Sequence, residues 1–110
     1  MTDTREILQL AAKAAGIEWQ SYHHQKGLCC RDSKNYGGLI EYYWNPLTDD
    51  GDALRLAVKL GIHITVSKYG RTVCRRSSEF LSIQEHGTDP YAATRLAITK
   101  AAAEIGRAME

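Results

Sequence analysis

The feature that most constrains this chain is a pair of alternating runs joined by a very short turn. Ile62, Ile64 and Val66 alternate with His63, Thr65 and Ser67, the cleanest period-two pattern in the 110 residues. Such alternation belongs to a strand with one apolar face. Tyr69-Gly70-Arg71 follows as a turn, and residues 72–76 return as a strand with Val73 and Cys74. Residues 80–83 read as one more strand. A connection this short joins antiparallel neighbours, since parallel strands need a crossover of about a dozen residues. A parallel nucleotide-binding sheet is thereby set aside.

Three helices punctuate the strands, each with recognisable caps. Asp3 with Glu6 three residues on is an aspartate-led capping box, and Ile7, Leu8, Leu10, Ala11, Ala14 and Ala15 recur at helical spacing up to Gly16. This predicts a helix over residues 4–15. Thr48-Asp49-Asp50-Gly51-Asp52 opens a second helix running to about Leu60, with Leu54, Ala57 and Val58 expected inward and Arg55 and Lys59 outward. Asp89-Pro90 places an N-cap and an N1 proline in their preferred positions. The third helix is expected over residues 90–108, burying Tyr91, Ile98, Ala101, Ala102, Ile105 and Met109.

Between the first two helices, Ile17, Trp19 and Ser21 alternate as a strand over about residues 17–22, and residues 28–30 suggest another. Residues 31–38 form a polar turn, and residues 39–44 a strong aromatic and β-branched strand ended by Asn45-Pro46. The expected order is α-β-β-α-β-β-(β)-α. It describes one α+β domain over residues 1–110, an α-β-α sandwich-like arrangement of three helices around one mainly antiparallel sheet of about four to five strands. Trp44, Leu54, Ile64 and Ile105 are expected to share one hydrophobic cluster.

Composition narrows function by exclusion. Fourteen basic residues against thirteen acidic give a net charge of +1. A nucleic-acid-binding domain usually carries a large basic excess, because phosphate neutralisation supplies most of its affinity. Three cysteines, two of them adjacent, make a poor disulfide framework. Met-Thr-Asp-Thr-Arg-Glu lacks the basic and apolar regions of a signal peptide, and the helical stretches carry charges throughout, so no membrane span is expected. A reducing cytoplasm is the expected location.

Four constellations invite a chemical reading. His23, His24, Cys29 and Cys30 are zinc-ligand types, but adjacent strand residues point to opposite faces, so a solvated loop with small half-buried cysteines is expected instead of a metal site. Asp49, Asp50 and Asp52, with Glu85 or Asp89, are candidates for a hard cation, yet position twelve counted from Asp49 is Leu60, where a calcium loop needs glutamate. Helix capping accounts for them. Cys74 beside Arg75 and Arg76 has the flanks of an activated thiolate, but no base is arranged for it, and a core cysteine is expected. Lys68, Arg71, Arg75 and Arg76, with Tyr69 between, form the one basic cluster and the candidate surface for macromolecular contact.

Two stretches carry a family resemblance. Trp44-Asn45-Pro46-Leu47-Thr48-Asp49-Asp50-Gly51-Asp52-Ala53-Leu54 and the residues on to Leu60 resemble the central signature of the phage ABA-sandwich family. Residues 89–109, with Ala101-Ala102-Ala103-Glu104-Ile105-Gly106-Arg107-Ala108, are similar to its closing helix, and residues 10–17 to its opening. The resemblance implies a small phage or prophage protein with helices about a central sheet and no assigned activity. From it, and from the lack of a catalytic constellation, the expectation is a non-enzymatic accessory protein with no cofactor. It would act by contact with a host or phage protein, nucleic acid being the second choice of partner through the Lys68 to Arg76 hairpin.

Overall fold

A computed structural model describes residues 3–31 and 41–109. The chain is α+β, with three helices and six strands in the order α-βββ-α-βββ-α. Helix α1 spans Thr4–Ala15, with the Asp3 carboxylate accepting from the Glu6 amide at 2.8 Å and Gly16 closing it in the left-handed region at φ 69°. Strands β1 (Ser21–His23), β2 (Gly27–Arg31) and β3 (Glu41–Trp44) follow. Helix α2 is Asp50–Leu60, capped by Asp49. Strands β4 (His63–Ser67), β5 (Arg71–Arg76) and β6 (Glu79–Glu85) lead into α3, Pro90–Ala108, whose N-cap Asp89 accepts from the amides of Tyr91 and Ala92.

The strands divide into two three-stranded antiparallel sheets, β1-β2-β3 and β4-β5-β6, where the sequence reading placed them in one. The helices hold the middle. Helix α1 packs on β2 of the first sheet, α3 packs on β5 and β6 of the second, and α3 joins them through its contacts with α1 and α2. The division has a physical origin in α3. Its buried residues include Ala97, Ile98, Thr99, Ala101, Ala102, Ala103, Ile105 and Gly106, which cover most of the helix circumference and leave Lys100, Glu104 and Arg107 on one polar stripe. A helix with so wide an apolar surface is buried against more than one neighbour, so it separates sheets and does not merely cover one.

Small residues let α1 and α3 approach closely. Ala11, Ala12, Ala97, Ala101 and Ala102 are fully buried together with Leu8. At Gly106 a Cβ would sit 2.0 Å from the Leu10 carbonyl oxygen, a distance no side chain can occupy.

Two helix faces differ from expectation. On α2 the buried residues are Ala53, Leu56 and Ala57, while Leu54 is 62% and Val58 73% exposed. The helix is turned so that Leu56 meets the core, and Trp44, Ile64 and Ile105 join the core cluster without Leu54. On α3, Tyr91 and Met109 are exposed. That helix of 19 residues is about 28 Å long, against about 18 Å for the 12 residues of α1, so its ends overhang. The first expected strand is displaced to Ser21–His23, with Ile17 packing on the core as a loop residue. Residues 32–38 of the expected turn, and Leu39 and Ile40 of the expected aromatic strand, lie outside the described residues.

These placements predict a contrast in denaturant unfolding. Gly106→Ala should cost on the order of 2–3 kcal/mol, because the backbones must separate, and Ile105→Ala on the order of 2–4 kcal/mol. Leu54→Ala should cost less than about 0.5 kcal/mol, as exposed positions do. A Leu54→Ala cost as large as that of Ile105→Ala would show α2 turned the other way.

Candidate functional site

The second sheet has one covered and one open face. Strand register sorts the side chains: Ile64 pairs with Cys74 and Cys74 with Ser82, while Thr65 pairs with Val73 and Val73 with Ile83. Thr72, Cys74 and Ser82 are buried toward α3, and the Ser82 hydroxyl donates to the Ala97 carbonyl at 2.7 Å. The open face carries His63, Thr65 and Ser67 on β4, then Arg71, Val73 and Arg75 on β5, then Phe80, Ile83 and Glu85 on β6. A register shift between Cys74 and Arg75 leaves Leu81 as the extra residue on β6, which brings Phe80 opposite Arg75. Phe80 is 57% exposed.

The basic residues read from the sequence do not form one patch. Lys68 and Tyr69 sit in the β4–β5 turn, with the Lys68 ammonium 5.3 Å from the Tyr69 ring centre. Arg71 is next to that turn, but Arg75 is four residues further along β5, about 13 Å away at the usual rise. Arg76 points to the opposite side from Arg71 and Arg75. Arg71 already faces Glu85 at 3.3 Å. The cations therefore form a line along the hairpin, and Arg75 beside Phe80 is the member set into an apolar surround.

A second concave region was not foreseen. Asp50, Ala53 and Leu54 of α2, Ile64 and Val66 of β4, and Pro90, Tyr91, Thr94, Arg95 and Ile98 of α3 enclose a groove of about 480 Å³. Leu54, Val66 and Tyr91 are 62%, 55% and 73% exposed. At one wall, Arg95 donates from Nε to the Leu47 carbonyl at 2.9 Å and from its guanidinium to Asp50 at 2.7 Å, tying α3 to the start of α2. Beneath it, the Thr72 hydroxyl lies 2.8 Å from His86 Nε2 and 2.9 Å from the Thr94 hydroxyl. This three-residue link fixes β5 to both the β6–α3 loop and α3. The signal in the sequence was the surplus of apolar residues on α2, where Leu54 and Val58 add a second stripe to Ala53, Leu56 and Ala57.

The remaining candidates have local roles. His23 Nδ1 accepts from the amides of Gln25 and Lys26, both at 3.2 Å, and so shapes the β1–β2 turn, while its ring stacks on His24 at 4.9 Å. Cys29 and Cys30 alternate on β2: Cys29 Sγ faces Glu41 at 3.7 Å, and Cys30 Sγ faces the Leu28 carbonyl on the helix side. Among the described residues no three metal-ligand side chains come together. Asp49 caps α2 through the Asp52 amide, Asp52 accepts from the Asn45 amide and from Arg55, and Asp50 pairs with Arg95. Each carboxylate of that acidic run is engaged within the fold. Asp52 also holds the Arg55 guanidinium in its charged form.

Cys74 is buried beside Ser82, and burial raises its pKa. Arg75 and Arg76 are both exposed and do not counter that effect. Burial, with the adjacent Cys29, pushes the Cys30 thiol up to about 11. Neither Cys30 nor Cys74 is an activated nucleophile at neutral pH.

Comparisons with family models, with curated proteins and with solved structures find no match to this chain. Among the described residues, no helix is long and apolar enough to cross a membrane.

The Cys30 shift has a sign that can be tested. Its thiol ionises near 9.0 when free and near 11 when folded, so between those values the unfolded chain binds fewer protons than the native one. Stability must then fall as pH rises from about 9 toward 11, and be unaffected by this group below 9. Urea midpoints at pH 8, 9 and 10 should show that decline, and Cys30→Ala should make it shallower, the remainder belonging to Cys74, whose pKa burial also raises. An equal slope in both proteins would remove Cys30 as its source.

Proposed function

We propose that this chain is a non-enzymatic accessory protein of a phage or prophage that acts by binding another protein through the open face of its second sheet. The observation that carries the contact is that face itself: Val73, Phe80 and Ile83 form an apolar centre with Arg75 beside Phe80, and α3 covers only the opposite side. An exposed aromatic next to an arginine is the usual composition of a protein-binding hot spot. The net charge of +1 supplies no long-range steering, so recognition is short-range. The non-enzymatic reading is supported by two buried thiols with raised pKa and by acidic groups already occupied as caps and ion pairs. Phage or prophage origin rests on the resemblance of residues 44–60 and 89–109 to the ABA-sandwich family.

A second reading, nucleic-acid binding, is favoured by the same juxtaposition of Phe80 and Arg75 with the exposed Tyr69, since bases stack on aromatic side chains presented by a sheet. The neutralisation of Arg71 by Glu85 and the linear spread of the cations count against it.

Immobilised protein should retain a specific protein from infected or lysogenic cells, and the Phe80→Asp, Arg75→Glu double variant should lose it with its melting temperature kept. Labelled DNA and RNA should bind no tighter than about 10 μM near physiological salt, as for non-specific contacts. Submicromolar affinity, falling steeply with salt and abolished in the double variant, would replace the protein partner by nucleic acid.

A further inference from the structure

The groove beside β4 has an occupant that the chain itself can supply. We propose that a second copy fills it, with β4 of each copy pairing antiparallel about a two-fold axis at Thr65.

The edge invites this pairing. Strand β4 is at the outside of its sheet, and no other strand among the described residues pairs with its outer side. Exposed edges are ordinarily blunted by charge, proline or a bulge. The opposite edge strand, β6, has Glu79 and Glu85 at its ends and a bulge at Leu81. His63-Ile64-Thr65-Val66-Ser67 has none of these devices.

The pattern along β4 is self-complementary, as a two-fold contact requires. With the axis at Thr65, Thr65 meets Thr65, Ile64 meets Val66, and His63 meets Ser67. A two-fold axis perpendicular to a continuous sheet keeps like faces together. Every Ile64 and Val66 thus remains on the helix side, above the two grooves, and the polar residues remain on the open side.

The helices below agree with that geometry. Leu54 and Val58 are one turn apart on the exposed stripe of α2, which also begins with Asp50. The axis brings α2 against its copy in antiparallel sense. The two helix dipoles then oppose favourably. Leu54, Val58, Val66 and Tyr91 at their observed exposures present roughly 500 Å² per copy, or about 1,000 Å² in the pair, the size at which specific interfaces begin.

The pairing is independent of the open face proposed for partner binding, and the test keeps them apart. Sedimentation between about 1 μM and 1 mM, the range for a moderate affinity, should show the 12.3 kDa chain associating to twice that mass. Val66→Lys, at an exposed position, should leave a folded monomer with unchanged circular dichroism, while Phe80→Asp should still dimerise. Register is read by cross-linking. Thr65→Cys should form an intermolecular disulfide under a mild oxidant, because directly opposed antiparallel residues are about 4.5–5.5 Å apart. Lys68→Cys should not, since its copies would lie about 20 Å apart; the three native cysteines are buried. A chain monomeric throughout that range would overturn the proposal and leave the groove to a segment of another protein. A dimer that Val66→Lys leaves intact, or equal cross-linking at both positions, would overturn it as well.

Discussion

The close contact of α1 with α3 is the constraint on which the remaining structure depends. Where Gly106 meets the Leu10 carbonyl there is no room for a methyl group, and alanines line the rest of the crossing. Close packing of that kind gains dispersion energy along the whole contact and tolerates little change in volume. It also commits α3 to the interior. With α1 on one side, α2 on another and β5 and β6 on a third, α3 keeps only the stripe of Lys100, Glu104 and Arg107 for solvent. The strands consequently gather as two small sheets at the outside of a helical centre, and among the described residues each sheet keeps edges that one larger sheet would have paired.

The overhang of α3 follows from the same arrangement. Its middle is held by α1 and the second sheet, but its first turn reaches past them, and Pro90 and Tyr91 project beside α2 and β4. Arg95 fastens that first section to Leu47 and Asp50, and the Thr72–His86–Thr94 link fastens it to β5. The groove walls are thus rigidly mounted, although the groove floor is apolar and open. Such a surface costs free energy when it faces water, at roughly 25 cal/mol per Å² of apolar area, which is why an occupant is the economical reading of it.

How much of this was legible in the sequence depended on whether a signal was local. Caps are local, and Asp3, Gly16, Asp89 and Pro90 placed α1 and α3 at the observed bounds. The hairpin at Tyr69-Gly70 was likewise visible, because a two-strand pattern needs only its own turn. The rotation of α2 was not. Ala53, Leu54, Leu56, Ala57 and Val58 offer two overlapping stripes, and the choice between them is made from outside the helix. The Asn45 amide donates to Asp52 at 2.9 Å and Trp44 lies beside Leu56 in the core, so the turn before α2 sets its angle. The division into two sheets was equally non-local, being decided by how many faces of α3 are apolar. The basic cluster was legible as composition and misjudged as geometry: a strand extends about 3.3 Å per residue, so charges close in sequence become a line.

The open face and the β4 edge become one surface once two copies pair. A two-fold axis perpendicular to the sheet turns three strands into six, in the order β6-β5-β4-β4-β5-β6, and presents two sets of Phe80, Ile83 and Arg75 on the same side. His63, Thr65 and Ser67 of both copies occupy the centre of that expanse. A partner that binds through short-range contacts with Phe80 and Arg75 then meets two equivalent sites at a fixed separation. Bivalent engagement multiplies affinity without any new contact, provided the partner is itself repeated at a matching spacing. A nearly neutral chain with one modest apolar patch gains more from such doubling than a strongly charged one would, because it has no steering field to raise its rate of encounter. If the proposed pairing and the proposed open-face contact both hold, the partner they fit best is itself symmetric or repetitive.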